Sequence, residues 1–169
     1  MSAYLRTTRE CPFEQLKSEL RQPLDASFQE NELGTIQLCV ETLSEPKEPG
    51  WLASLLGDRA TGPVHLAVVL TESHLVWARY SAATGTNVIA ADLRFIRVKP
   101  FASLFNRDQG LEISGVVGDV KGSGKGGGVQ GYLGLGPEPA TTKLIEAVQA
   151  AILALNPDSG RKWPAWMGK

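Results

Sequence analysis

The feature that most constrains this chain is a series of seven short apolar segments followed by one amphipathic helix. The segments lie between Gly34 and Leu135, and the helix is predicted over Glu138–Leu155. Strands in succession that are followed by a single helix favour a small antiparallel barrel or sandwich capped by that helix. The sequence therefore predicts a mainly β, α+β fold.

The strand segments are recognised by side chains that alternate between apolar and polar. In Thr35–Leu43, the residues Ile36, Leu38 and Val40 alternate with less apolar neighbours, which predicts a half-buried strand. The next six segments, taken two by two, are predicted to form three antiparallel pairs. They are Val64–Leu70, Leu75–Ser81, Thr86–Ala91, Phe95–Lys99, Leu111–Val117 and Val129–Leu135.

The same alternation predicts which side chains form the core. Apolar residues of the final helix recur at steps of three and four, so they share one face and close one side of the strand layer. The predicted core contains Ile36, Leu38, Val40, Leu70, Ile113 and Leu133, covered by Leu144, Val148 and Ile152.

A first helix is predicted over Pro12–Asn31, because large apolar residues recur there at helical spacing. Pro23 has no backbone N–H and disfavours the helical conformation at Gln22, so we expect a break or kink at that point. We expect the helix to pack on the body of its own domain; the alternative is a helix offered to a partner.

The length of 169 residues fits one domain. We expect a helical extension over residues 1–33, a body over residues 34–156 with a loop insertion at 46–62, and a tail over residues 157–169. The 17 basic and 18 acidic side chains leave a net charge of −1, so the overall field does not attract nucleic acid, and no nucleic-acid partner is expected.

Cysteine usage and hydropathy favour a cytoplasmic, soluble protein. Cys11 and Cys39 have no CxxC spacing, which suits two free thiols in a reducing compartment better than a structural disulfide. No stretch has the length and hydropathy of a signal peptide or of a membrane span.

Two stretches resemble bacterial pleckstrin-homology-like domains. Leu66–Trp77 is similar to their hairpin, in which an apolar strand, Leu-Thr and a polar turn precede a second strand. Asp92–Val98 is similar to the element that follows, and the resemblance covers Gly34–Leu155. It implies a seven-stranded barrel or sandwich with a C-terminal helix. It also implies a scaffold that binds lipids, peptides or proteins and has no shared active site.

The glycine-rich stretch Gly122–Gly127 satisfies GxGxxG, but it leads into the predicted strand that begins at Val129. A dinucleotide site needs these glycines before a helix N-terminus, so a hairpin loop is the better interpretation and no cofactor is expected. Lys121 and Lys125 in this loop are candidates for weak contacts with an anion.

The chain has two histidines, His65 and His74, and neither has a cysteine or second histidine at metal-ligand spacing. No GxSxG motif accompanies the serines. The sequence therefore offers no positive sign of a metal site or of an enzyme.

Two contact surfaces are predicted. Within Gly50–Gly57, four large apolar side chains fall inside a polar loop, and they either plug the barrel end or mark a contact site; they are Trp51, Leu52, Leu55 and Leu56. Further along, Arg94, Arg97 and Lys99 occur without an intervening acid and are interleaved with aromatic residues, as in an anion-binding surface.

These patterns favour a non-catalytic binding module whose partner is a protein or peptide. One alternative is binding of a membrane surface or an anionic lipid headgroup through the Trp51 loop and the basic strand. Another is an enzyme with an unrecognised site. The sequence leaves a homo-oligomer open.

Overall fold

The computed structural model describes residues 4–47, 62–102, 109–117 and 127–156. Within these ranges the chain is mainly β, with antiparallel sheets and a C-terminal helix, as predicted. The strands are β1 (Tyr4–Glu10), β2 (Ile36–Pro46), β3 (Val64–Thr71), β4 (His74–Ser81), β5 (Gly85–Asp92), β6 (Ile96–Ala102), β7 (Gln109–Val117) and β8 (Gly127–Leu135). The helices are a short 3-10 helix (Phe13–Gln15), α1 (Ser18–Glu30) and α2 (Pro139–Leu155).

The strands form two sheets. The five-stranded sheet has the order β1-β2-β3-β4-β5, and the three-stranded sheet has the order β6-β7-β8. Each of the seven predicted segments is a strand, and the described residues add an eighth, β1, inside the predicted helical extension. β1 gives no hydrophobic pattern because its only buried side chain is that of Thr8.

The prediction that Thr86–Ala91 pairs with Phe95–Lys99 is wrong. β5 pairs with β4, whereas β6 pairs with β7 in the other sheet. Between β5 and β6 the chain turns into the other sheet. In this turn the side chain of Leu93 is fully buried, and the Phe95 N–H donates to the Asp92 carbonyl at 3.0 Å. The other two predicted pairs, β3 with β4 and β7 with β8, are confirmed.

Buried apolar side chains form two clusters, one on each face of the five-stranded sheet. The first lies between the two sheets and α2, and it contains Leu38, Val40, Leu70, Ile113, Leu133, Leu144 and Val148 of the predicted core, with Ile152 packed partly buried against it. The second lies under α1 and includes Leu16, Leu20, Leu24, Ala67, Val69, Val76, Ala78 and Ala90. β3 is consequently buried on both faces along most of its length.

β2 departs from the prediction in two ways. First, both of its faces are buried: Cys39 and Glu41, on the face toward α1, are shielded from solvent, whereas the prediction was a half-buried strand. Ile36 does not join the cluster between the sheets: an irregularity in the pairing between Ile36 and Leu38 shifts the register, and Ile36 packs partly buried against the α1 cluster instead.

α1 begins at Ser18 and continues through Pro23, so the predicted break lies elsewhere. The chain is extended at Leu16 and Lys17, between the 3-10 helix and α1. Pro23 cannot donate to the Glu19 carbonyl four residues earlier. The Thr86 hydroxyl of β5 donates to that carbonyl at 2.7 Å, which satisfies it and ties α1 to the sheet.

The two sheets meet along a polar seam between β1 and the end of β8. The Thr8 N–H donates to the Glu138 carboxylate, and the Gly136 N–H donates to the Thr8 hydroxyl, both at 2.7 Å. The Thr8 hydroxyl also lies 2.8 Å from that of Thr42. Side chains therefore replace a continuous backbone ladder at this junction.

Candidate functional site

One candidate site for a ligand with apolar groups is a cavity of about 320 Å³ between the sheets, which we call the end cavity. It lies where β2 ends and β3 begins. Its floor is apolar and its rim is polar. The floor is formed by Val64, Leu66, Trp77, Ile89, Ile113 and Leu133, and the rim by Tyr4, Arg6, Ser44, Arg79, Asn87 and Tyr132, with Gly131 and Gly134 beside them.

The rim of the end cavity is positively charged. Arg6 of β1 and Arg79 of β4 both line it, and no carboxylate is among the described residues that do so. Guanidinium groups bind carboxylates and phosphates through paired N–H donors. The cavity is therefore suited to a ligand that has an apolar part for the floor and an anionic group for the rim.

Gly134 allows Arg6 to reach this position. A Cβ atom on Gly134 would lie 2.6 Å from Arg6 Nε, closer than real side-chain contacts permit. The absence of a side chain on β8 thus leaves the space that the Arg6 guanidinium occupies. This close approach places a positive charge of β1 beside the three-stranded sheet.

A second concavity, of about 460 Å³, lies on the opposite face of the five-stranded sheet, and we call it the back cavity. Its lining side chains include both acidic and basic groups. Lys17, at the start of α1, faces His65 of β3 across it, with Lys17 Nζ 3.2 Å from His65 Nε2. It is lined by Thr7, Arg9, Gln15, Lys17, Glu41, Leu43 and His65.

The charges of the back cavity are closely coupled. Arg9 donates to the buried Glu41 carboxylate at 2.7 Å, and this hydrogen bond raises the pKa of Arg9. Burial, followed by the charge of Lys17, lowers the pKa of His65. Lys17 Nζ also lies 4.9 Å from the centre of the Tyr80 ring, whose hydroxyl-bearing side chain is beside His65.

A third surface is the outward side of β6, which we call the aromatic face. Because side chains alternate along a strand, Arg97, Lys99 and Phe101 lie on the same side, and all three are exposed, as is Phe95 directly before β6. The Tyr132 ring of β8 packs edge-on to that of Phe101, with ring centres 5.1 Å apart. Tyr132 also lines the end cavity, so the two surfaces meet at this residue.

The structure separates the predicted anion contacts. Arg97 and Lys99 share the aromatic face, whereas Arg94 donates to Asp92 within the turn before β6, at 3.0 Å from Nε to Oδ1. This bond raises the pKa of Arg94 and lowers that of Asp92. The remaining predicted contacts lie outside the described residues; they are Trp51, Leu52, Leu55, Leu56, Lys121 and Lys125.

The two histidines lie at opposite ends of β3 and β4. His74 is the first residue of β4, directly after the hairpin turn, and the Ser73 hydroxyl lies 2.8 Å from its Nδ1. No cluster of three metal-ligating side chains occurs in the parts of the chain that the structure describes. Among those same residues, no helix has the length and hydropathy needed to cross a membrane.

Cys11, which directly follows β1, and Cys39 of β2 are free thiols buried under α1. The Cys11 N–H donates to the Cys39 carbonyl at 3.1 Å, which places the residues directly across from each other. Burial raises the pKa of both thiols. Because the thiolate is the nucleophile, neither cysteine is activated for catalysis at neutral pH.

The end cavity and its two arginines were not predicted from the sequence. Arg6 is in a strand without a hydrophobic pattern, and Arg79 is 73 positions further along the chain, so no motif joins them. Arg79 does interrupt a predicted strand at an inward-facing position, opposite Leu66. A basic residue on the apolar face of a strand was the one signal of this site.

The resemblance to pleckstrin-homology-like domains rests on the β3–β4 hairpin and on Asp92–Val98. The hairpin forms as expected, and the Thr71 hydroxyl oxygen accepts from the His74 N–H at 2.9 Å to close its turn. A seven-stranded barrel is not confirmed, since the described residues form eight strands in two sheets. No protein-family model, curated protein or solved structure matches this chain.

Proposed function

We propose that this protein is a non-catalytic binding module and that its end cavity receives a segment of a protein partner. The observation that carries this proposal is the combination of an apolar floor with two arginines at the rim. An apolar side chain of the partner fits the floor, beside Leu66 and Trp77. An adjacent carboxylate, from an acidic residue or a chain terminus, pairs with Arg79.

A peptide fits these features better than a small polar metabolite. The cavity volume is at the lower end of the range for ligand pockets, which is enough for one or two side chains. Its lining comes from both sheets and is built on strands, so the site is held by the fold. An extended segment entering it passes Tyr132, whose ring adds contact area at the rim.

Selection from a phage-displayed library of random peptides tests this proposal. We expect the wild-type protein to enrich peptides in which an apolar residue adjoins an acidic residue or a free C-terminus. Arg79→Glu should abolish that enrichment through charge repulsion. Arg97→Glu, the same charge change on the aromatic face, is the matched control and should retain it. Equal enrichment by wild type and Arg79→Glu would contradict the proposal.

A second function, binding to an anionic membrane surface, is favoured by the aromatic face. Phe95 and Phe101 are 49% and 41% exposed, and Arg97 and Lys99 lie between them. In extended chain, the stretch from Phe95 to Phe101 spans about 20 Å. Aromatic rings that flank cations suit the boundary between headgroups and acyl chains.

Sedimentation with vesicles distinguishes this second function. Binding to phosphatidylserine vesicles, but not to phosphatidylcholine vesicles, should weaken as salt is raised and should be lost in the double variant Arg97→Glu, Lys99→Glu. Arg79→Glu is the control here. A Trp51→Ser, Leu55→Ser variant tests whether the Trp51 loop takes part. No sedimentation at low salt would remove the membrane function.

A further inference from the structure

The back cavity has no part in the proposed binding of a partner segment, and its side chains point to a different ligand. Three basic residues converge there from three elements: Arg9 of β1, Lys17 at the start of α1 and His65 of β3. The carboxylate that lines the cavity, Glu41, is 9% exposed and already accepts from Arg9 through Nε and one terminal nitrogen. Arg9 is thus balanced by Glu41, whereas Lys17 has only a partly exposed ion pair with Glu19, which does not line the cavity.

The contact between Lys17 and His65 fixes the protonation of the imidazole. An ammonium group only donates, so Nε2 of His65 accepts at 3.2 Å and the ring is neutral with its proton on Nδ1. A second positive charge at this distance is unfavourable unless an anion lies between the two groups. The groups that face His65 are Lys17 and Glu19 from α1, Glu41 from β2, Arg9 from β1 and Tyr80 from β4.

We propose that the back cavity binds a phosphate group between Lys17 and His65, with Arg9 at its edge. The phosphate oxygens accept hydrogen bonds from the Lys17 ammonium and from Nε2 of a protonated His65. Glu19, which is 3.4 Å from Lys17 Nζ in a partly exposed ion pair, gives way to the stronger dianion. Binding is thus coupled to the uptake of one proton by His65.

This coupling predicts the pH dependence of binding. In the free protein, burial and then the charge of Lys17 lower the pKa of His65 and disfavour its protonated form. A dianion reverses the local potential, so it raises the pKa of His65. By linkage, a phosphate monoester, whose second pKa is about 6, binds more tightly as the pH falls from 8 toward about 6.5, the ordinary pKa of histidine. A monoanionic carboxylate supplies half the charge and binds more weakly.

Proton NMR of the histidine Cε1–H resonances tests the proposal with defined probes. The full chain is titrated in pH with sodium phosphate, phenyl phosphate, sodium acetate or sodium chloride at equal ionic strength, and His65→Gln assigns the signal. We expect both phosphates to move the titration midpoint of His65 upward by at least about half a pH unit relative to chloride. Acetate should move it less, and the signal of His74 should respond to phosphate as it does to chloride.

Three variants assign the effect to these residues. Lys17→Met should raise the pKa of His65 in the absence of phosphate and weaken phosphate binding at least about tenfold. His65→Gln should bind phosphate with little pH dependence. Lys143→Met removes a surface lysine that pairs with Glu10 and is the matched control, which should behave as the wild type. Melting temperatures verify that each variant is folded.

Two results would overturn the proposal. One is a His65 titration midpoint that is the same in phosphate and in chloride. The other is a phosphate effect that persists in Lys17→Met, which would place the anion elsewhere. Neither result bears on the end cavity, because the peptide selection with Arg79→Glu is a separate measurement on the opposite face of the sheet.

Discussion

The two faces of the five-stranded sheet are packed in different ways, although the same strands supply both. The face toward the second sheet presents large side chains, among them Leu70, Leu75 and Trp77. The face toward α1 presents small ones, with Ala67, Ala78 and Ala90 in the centre. Packed sheets lie about 10 Å apart, so long side chains must fill the gap between them. Alanine instead lets a helix approach the sheet closely.

Opposite kinds of substitution should therefore destabilise the two faces. Between the sheets, the protein should lose stability when a buried side chain is shortened or becomes charged. Under α1, it should lose stability when a side chain becomes larger. Hydrogen bonds at the margins of both layers should contribute less to stability than either kind of packing.

The largest effect is expected for Val148→Asp, where α2 closes the layer between the sheets. Val148 is fully buried, so the carboxylate loses its hydration with no partner supplied by the apolar cluster. The free energy of unfolding should fall by more than about 4 kcal/mol, or the domain should not fold. Gln149→Asp, one position away and exposed, is the control in thermal and urea unfolding. A stable Val148→Asp protein would show that α2 is dispensable.

A smaller loss is expected for Ala78→Leu under α1. Ala78 is fully buried, and the added carbons must push α1 away from the sheet. Overpacking of this kind costs roughly 1 to 3 kcal/mol. Ala82→Leu, in the exposed turn after β4, adds the same volume as a control. A neutral Ala78→Leu would mean that α1 does not pack closely, and the contrast between the faces would disappear.

Thr8→Val tests the polar seam that joins the two sheets. The change keeps the shape of the side chain but removes the acceptor for the Gly136 N–H and the partner of the Thr42 hydroxyl. We expect a loss of roughly 1 to 2 kcal/mol in the free energy of unfolding. Thr7→Val on the exposed side of β1 should cost little. If Thr8→Val and Thr7→Val lower the free energy of unfolding equally, the hydrogen bonds of the seam contribute nothing to stability.

Thr86→Val should cost about 1 kcal/mol, because the Glu19 carbonyl left by Pro23 then has no donor. A double-mutant cycle with Pro23→Ala sharpens this prediction. Alanine restores an N–H to the helix, so Thr86→Val should cost less in the Pro23→Ala background. An unchanged cost in that background would mean that the Thr86 hydroxyl acts through another contact.

The smallest effect concerns the pH dependence that His65 adds on the α1 face. Because the pKa of His65 is lowered in the folded state, the unfolded chain binds more protons as the pH falls below about 6.5. His65 therefore contributes stability above that pH, and this contribution is lost as the pH falls toward the folded-state pKa. Urea unfolding of His65→Gln at several pH values should show a flatter profile than the wild type. Parallel profiles would contradict the assignment.

The sequence predicted the elements whose burial follows a regular period. Seven strands and α2 have apolar side chains at steps of two or of three and four, so each could be read locally. β1 could not be predicted from its local sequence, because hydrogen bonds of Thr8 and pairing with β2 hold it in place rather than apolar burial. The displacement of Ile36 arises from a pairing irregularity, which depends on the neighbouring strand.

The candidate sites were less predictable than the strands because each is assembled from distant positions. Arg6 and Arg79 meet only through the order of the strands, and Lys17 reaches His65 only because α1 starts later than its apolar pattern indicates. The aromatic face was the exception. Its cations and rings follow one another along a single strand, so alternation alone places Arg97 and Lys99 together.

The two cavities depend on the same pleat of β2 and β3. Ser44 and Val64 line the end cavity, while their immediate neighbours Leu43 and His65 line the back cavity. A shift of one residue in the pairing of these strands would turn each set toward the opposite face. The end cavity would receive a histidine, and the back cavity would lose its imidazole. The two sites thus share a single alignment, and a deletion of one residue within β3 would disable both at once.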